Sequence, residues 1–212
     1  WVHHDRDVIR AHALGNFRDL LQGFVIDGAL MRYLNADGST AEKPNENLAR
    51  ELMELFTVGT GHYSENDVRA AALAMSGWKV DEDAVAVALD PERANTAPVT
   101  FLGETKNWDV ATIVDRLCDH PATAARIAAK LWYHLAGTTL PADRAAELGN
   151  WWQGQNLEIA SVTMPAQARK GEVIEIPDTP DYLSIDEAID ALVDRALANQ
   201  RTAAQTPDAA QQ

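Results

Sequence analysis

Apolar residues recur at helical spacing along most of the chain, and the pattern is clearest in the stretch NENLARELMELFTVG, residues 45–59. On a helical wheel Leu48, Leu52, Met53, Leu55 and Phe56 fall on one side, and Glu46, Asn47, Arg50, Glu51 and Glu54 on the other. Asn45 suits an N-cap and Gly59 a terminator, so the spacing predicts a helix over 45–58. Upstream, Ile9, Leu14, Phe17, Leu20, Leu21 and Phe24 predict helix between 5 and 24, which Gly15 weakens. Asp27 can cap a short helix to Leu34, followed by the turn-rich loop NADGSTAEKP. Ser64 with Asp67 marks the start of a helix over 65–76 that Gly77 ends. Asp109 opens a helix to Cys118, Pro121 opens one that Gly137 closes, and another is expected over 141–153.

Between 83 and 102 the period changes. AVAVAL and PVTFLG carry β-type alternation and branched residues around a polar DPERANTA turn, which predicts one two-stranded hairpin. After about residue 160 the texture becomes proline-punctuated, with a strand expected at 172–176 and a last helix over 185–199, where Ser184 and Glu187 form a capping box. The expected fold class is mostly α: an irregular multi-helix domain over 1–158, with a small β-hairpin. An acidic strand–helix appendage is expected over 159–200, and a disordered tail over 201–212.

Composition narrows the partners. The formal net charge of −14 repels phosphate chains, so nucleic acid is excluded as an expected partner. No apolar run is long enough for a membrane span, so no membrane insertion is expected. A protein partner fits the composition, and the oligomeric state is left open. A single cysteine, Cys118, permits no internal disulfide, and its helical position predicts a buried, inert thiol. The opening WVHHDRD lacks a methionine and implies a start within a longer gene product.

The run NENLARELMELFTVGTGHYSENDVRAAALAMSGW carries an ordered set of landmarks: Asn45, Glu46, Asn47, Ala49, Arg50, Glu51, Leu52, Glu54, Leu55, Thr57 and Gly59, then Glu65, Asp67, Val68, Ala71, Gly77 and Trp78. It resembles the signature of a bacterial family catalogued as domain of unknown function 1800. RAHALGNFRDLL upstream, and VTFLG and DHPATAARIAAKLW downstream, resemble its other landmarks, so the resemblance spans about residues 1–158. It implies a bacterial, generally exported protein (periplasmic, envelope or extracellular) without an assigned reaction. Family members are usually longer, with a tryptophan–histidine segment upstream that WVHH resembles.

Two functional readings follow. Glu46, Arg50 and Glu54 lie at i, i+4 and i+8, which suits an exposed ion-pair ladder worth a few tenths of a kcal/mol per pair. Spacing alone favours that solvated face. The resemblance, which keeps the polar face residue for residue, implies at least partial burial of Arg50, with Asn45 and Asn47 in a structural or binding polar cluster. The chain is then a helical binding or assembly component. The alternative is a hydrolase or metal-dependent enzyme with Glu46, Glu51, Glu54 and His62 as catalytic candidates. No cofactor is identifiable by motif. A divalent metal has room only in a site assembled in three dimensions, with His3, His4 and His62 as candidate ligands. His120 and His134 are expected at helix ends. The loop NADGST fails as a calcium loop because Pro44 stands where a glutamate is required, and no GxSxG or phosphate-binding glycine loop occurs. The pair Trp151-Trp152 suits a core or an aromatic surface.

Overall fold

The computed structural model describes residues 8–81 and 86–163. His3, His4, the strand expected at 172–176 and the helix expected at 185–199 lie outside these residues.

The fold is mostly helical. Helices α1 (Phe17–Val25), α2 (Gly28–Tyr33), α3 (Asn47–Glu51) and α4 (Glu65–Ala74) come first. Helices α5 (Val110–Cys118), α6 (Pro121–Ala136), α7 (Ala142–Gly154) and α8 (Ile159–Thr163) follow two small hairpins. Capping side chains hold the helix starts, at Asp27, Ser64 and Asp109 as expected and at Asn16 where the expected helix ran on. Asn16 Oδ1 accepts from Arg18 N and Asp27 Oδ1 from Ala29 N, each at 2.9 Å. Ser64 with Asp67, and Asp109 with Thr112, form reciprocal boxes that satisfy otherwise orphaned N–H groups. Around Gly15 the chain leaves helical geometry, so the 5–24 pattern divides and α1 begins afresh at Phe17.

The apolar faces meet in one core. Phe17, Leu21 and Val25 of α1 pack with Leu48 and Ala49 of α3, Val68 and Ala71 of α4, and Ile113, Val114 and Leu117 of α5. Helices α6 and α7 pair along small residues: a Cβ built on Gly149 would lie 2.4 Å from the Ala125 backbone. Trp152 is fully buried and Trp151 half-buried against the same core, so the tryptophan pair faces inward. Residues 14–17 run beside 156–160, with Phe17 N donating to Leu157 O and Ile159 N to Gly15 O.

The β content departs from the expected single hairpin. Strands β1 (Trp78–Asp81) and β2 (Ala86–Leu89) pair antiparallel, with Trp78 opposite Leu89. Strands β3 (Val99–Phe101) and β4 (Glu104–Lys106) form a separate pair, with Phe101 opposite Glu104. The two runs read as partners therefore each pair with another segment. Gly77, at φ +94°, turns the chain straight from α4 into β1. Leu102 and Gly103, at φ 45° and 79°, make a tight two-residue turn. Leucine at the first of these positions costs about 1 kcal/mol and does not advertise a turn. The fold restrains it from both sides: Leu102 N donates to Asp67 Oδ1 at 2.8 Å, and Arg116 Nη2 donates to Leu102 O at 3.0 Å.

Asp67 thus serves both the α4 cap and the β3–β4 turn. Burial opposes its charge, but hydrogen bonds from Ser64 Oγ, Ser64 N and Leu102 N outweigh that and hold the carboxyl below the usual carboxylate range. A depressed folded value gives stability that is present above the unfolded value of about 3.9 and is lost as pH falls through the folded value. Asp67→Asn is expected to cost about 1 kcal/mol at neutral pH. Urea denaturation at pH 7 and pH 3 should show the gap to the wild type narrowing in acid. A gap independent of pH would show that the charge contributes nothing.

Candidate functional site

The signature segment is not a uniform helix. Helix α3 covers Asn47–Glu51 and then widens into a π turn over Leu52–Phe56, which corrects the expected continuous α-helix. The first helical residue is Asn47, two positions after the expected cap. Glu46, not the expected Asn45, holds the N-cap position, while Asn45 Oδ1 accepts from Asn47 N at 2.9 Å. Asn45 Nδ2 donates to Asn35 O at 3.0 Å, and Asn47 Nδ2 donates to Leu34 O at 3.4 Å. The two amides therefore tie the start of α3 to carbonyls at the end of α2.

Four donors satisfy three carbonyls of the widened turn. Buried Thr57 donates its hydroxyl to Leu52 O at 2.6 Å, and Gly59 N donates to Met53 O at 2.8 Å. Leu55 O accepts from Arg126 Nη1 at 2.7 Å and from Lys130 Nζ at 3.0 Å. Gly59 sits at φ +80°, and a Cβ there would lie 2.8 Å from Arg126 Cδ and Nε. The glycine that ends the signature is thus also the space through which Arg126 passes.

The charged face forms a surface network. Arg50 meets Glu65 through two parallel hydrogen bonds of 2.8 Å and Glu46 through one of 3.2 Å, while Arg69 stands 3.7 Å from Glu46. The Arg50 side chain is 35% exposed and Glu65 61%, so the arginine is partly covered rather than enclosed. The Glu65 hydrogen bonds raise the Arg50 pKa, and the same bonds lower that of Glu65. The ladder expected from spacing is half formed. Glu46 pairs with Arg50, but Glu54 lies on the π turn and accepts instead from Tyr63 Oη at 3.3 Å. Burial, and then the Glu54 charge, raise the Tyr63 pKa. Glu51 is half-buried and joins neither network.

His62 is exposed beyond the π turn, its ring 5.6 Å from that of His120. His120 caps α6 with Nδ1 accepting from Ala122 N at 3.2 Å, which leaves Nε2 to carry the proton of the neutral ring. Burial, the neighbouring His62 and Arg116 push its pKa down. His134 is exposed near the end of α6. Cys118 is buried, and burial pushes its thiol up to about 12, too high for a thiolate at neutral pH. Among the described residues no three His, Cys, Asp or Glu side chains lie close enough to hold one metal ion. No helix among them is long and apolar enough to cross a membrane.

An open groove of about 400 Å³ lies between the end of the signature and the α6–α7 pair. Val58, Gly59, Thr60 and His62 form one wall, and Ala122, Ala125, Arg126 and Ala129 the other, with Ala142 and Ala145 closing it. Of the candidate residues only His62 lines it; Glu46, Glu51 and Glu54 do not. The sequence reading passed over Arg126 and Lys130. One signal was available: PATAARIAAKLWYHLA contains both cations and no carboxylate.

No curated protein and no solved structure matches the chain. A family model does match, over residues 1–168, and it spans the Asn45 and Asn47 ties, the Arg50 network, the π turn and both groove walls. The chain belongs to the family described as Protein of unknown function (DUF1800).

Proposed function

We propose that this chain is a binding or assembly component exported from a bacterial cell, in which the charged side chains of the signature pair with one another at the surface instead of performing chemistry. The closed network around Arg50 is the observation that supports this reading. Glu46 and Glu65 are engaged by guanidinium groups, Glu54 by a phenol, and the amides of Asn45 and Asn47 by backbone. Carboxylates paired in this way have their oxygens engaged, whereas a general base needs a free lone pair beside its substrate. Export and bacterial origin rest on membership of a family whose members are generally exported.

The competing reading, a hydrolase or metal-dependent enzyme centred on Glu46, Glu51, Glu54 and His62, draws on the placement of His62 beside His120 at a groove. Elemental analysis of the native protein separates the two. The binding reading expects no transition metal at one equivalent. It also expects Arg50→Ala to cost under about 1 kcal/mol, as solvent-facing pairs do, with the loss shrinking at high salt. A stoichiometric metal that disappears in Glu54→Gln or His62→Ala would overturn it.

A further inference from the structure

Helix α6 carries Arg126 and Lys130 four residues apart on one face, without an acidic residue anywhere along its length. Several described cations find carboxylates, among them Arg18 with Asp115 and Asp119, Arg50 with Glu46 and Glu65, and Lys79 with Asp90, while Arg93 and Arg116 each donate to a backbone carbonyl of their own, Asp37 O and Leu102 O. Arg126 and Lys130 instead converge on one neutral acceptor, Leu55 O, and neither pairs with a carboxylate among the described residues. Two cations sharing one carbonyl is unexpected in a chain with 32 acidic residues against 18 basic ones. A guanidinium has five N–H donors and an ammonium three, so one carbonyl leaves most of both unspent. Burial and the Arg126 charge lower the Lys130 pKa, as an uncompensated neighbouring cation should.

Arg126 lines the groove, where Thr60 and His62 supply further polar groups and Gly59, Ala125 and Ala129 leave the space open. We infer that this groove binds an oxyanion, phosphate or carboxylate, with Arg126 as its principal contact and Lys130 reinforcing the field from the next turn. Guanidinium geometry matches either anion through paired N–H donors. The alanine walls suit a ligand with a small apolar body. The net negative charge disfavours an extended polyanion, but at physiological salt repulsion from distant carboxylates is screened within about 8 Å, so local cations decide the outcome for a small anion. The inference deepens the binding reading and rests on it by naming a ligand class. The two can fail separately: a stoichiometric metal overturns the binding reading whatever the groove takes up, while a groove indifferent to anions leaves other binding surfaces untouched.

The test uses the whole chain in about 0.15 M sodium chloride. Inorganic phosphate is titrated in one arm and acetate in the other, while the backbone amides of Gly59 and Thr60 are followed by NMR. Saturable shifts in either arm are expected, and the tighter arm names the ligand chemistry. Arg126→Gln should weaken binding about tenfold or more. Lys43→Gln, which removes the same charge from an exposed loop, should change it less than about twofold. Lys130→Gln, at an exposed position, provides a second reading if Arg126→Gln fails to fold, and should also weaken binding by more than the Lys43 control. Absence of saturation in both arms would overturn the proposal, as would equal losses in the groove variants and the Lys43 control.

Discussion

Gly149→Ala is expected to destabilise the protein by about 2–3 kcal/mol, at the upper end of the cost of overpacking. On an exposed helix the same change would stabilise by up to about 1 kcal/mol, because alanine is the better helix former. Here the sign reverses. The added methyl would sit 2.4 Å from the N and Cα of Ala125 and 2.8 Å from the carbonyl carbon of Ala124. These are backbone atoms of α6, so no rotamer change relieves the collision and the two helices must move apart. Separating them also disturbs the groove, which Ala125 and Ala129 of α6 share with Ala142 and Ala145 of α7. Urea denaturation monitored by circular dichroism measures the effect. A variant as stable as the wild type would show that the pair can loosen without loss.

The second large effect is expected from Trp152→Ala, at about 3–5 kcal/mol. Trp152 is fully buried, with its ring centroid 5.7 Å from that of Phe17. Its Nε1 donates to Glu158 O at 2.8 Å. Truncation removes the packing between α7 and α1 and leaves a cavity that the surrounding backbone can close only in part. It also strips a donor from a carbonyl in the 156–160 segment. Trp152→Phe separates the two contributions: it keeps most of the ring and should lose about 1–2 kcal/mol, the cost of a buried hydrogen bond left unmade. Equal losses in the two variants would place the whole effect in the hydrogen bond.

What the sequence disclosed and what it concealed divide along a physical line. Capping is local, so Asp27, Ser64 with Asp67, and Asp109 could be matched to the helices they open, whereas Asn16, inside the expected 5–24 helix, and the reciprocal role of Thr112 were missed. The glycine ends at Gly59, Gly77 and Gly137 were legible for the same reason, each adopting positive φ. Strand pairing is a tertiary choice. A β3–β4 turn that begins with leucine gave no turn signal, because its support comes from Asp67 and Arg116 in other elements. The π turn was hidden likewise: a helical wheel assumes constant pitch, whereas the widened turn depends on donors as distant as Arg126, 71 residues beyond Leu55. Among the candidate site residues, Glu46 and Arg50 meet as their spacing suggests, Glu54 is diverted, and the groove cations became visible only once α6 was set against the signature.

The seam between residues 14–17 and 156–160 bears on how the chain emerges from a ribosome. Asn16 Nδ2 donates to Asn156 O across 140 residues of chain. At about 5–20 residues per second, synthesis takes roughly 7–28 s to supply that partner after Asn16 has been made. During this interval Phe17 lacks Trp152, and the apolar face of α1 stays incompletely covered although its cap can already form. This closure, like the Arg18–Asp115 pair, joins residues far apart in sequence and so raises the contact order of the fold, which slows folding relative to a bundle of local contacts. Nascent chains are therefore open to chaperone capture until α7 has been completed.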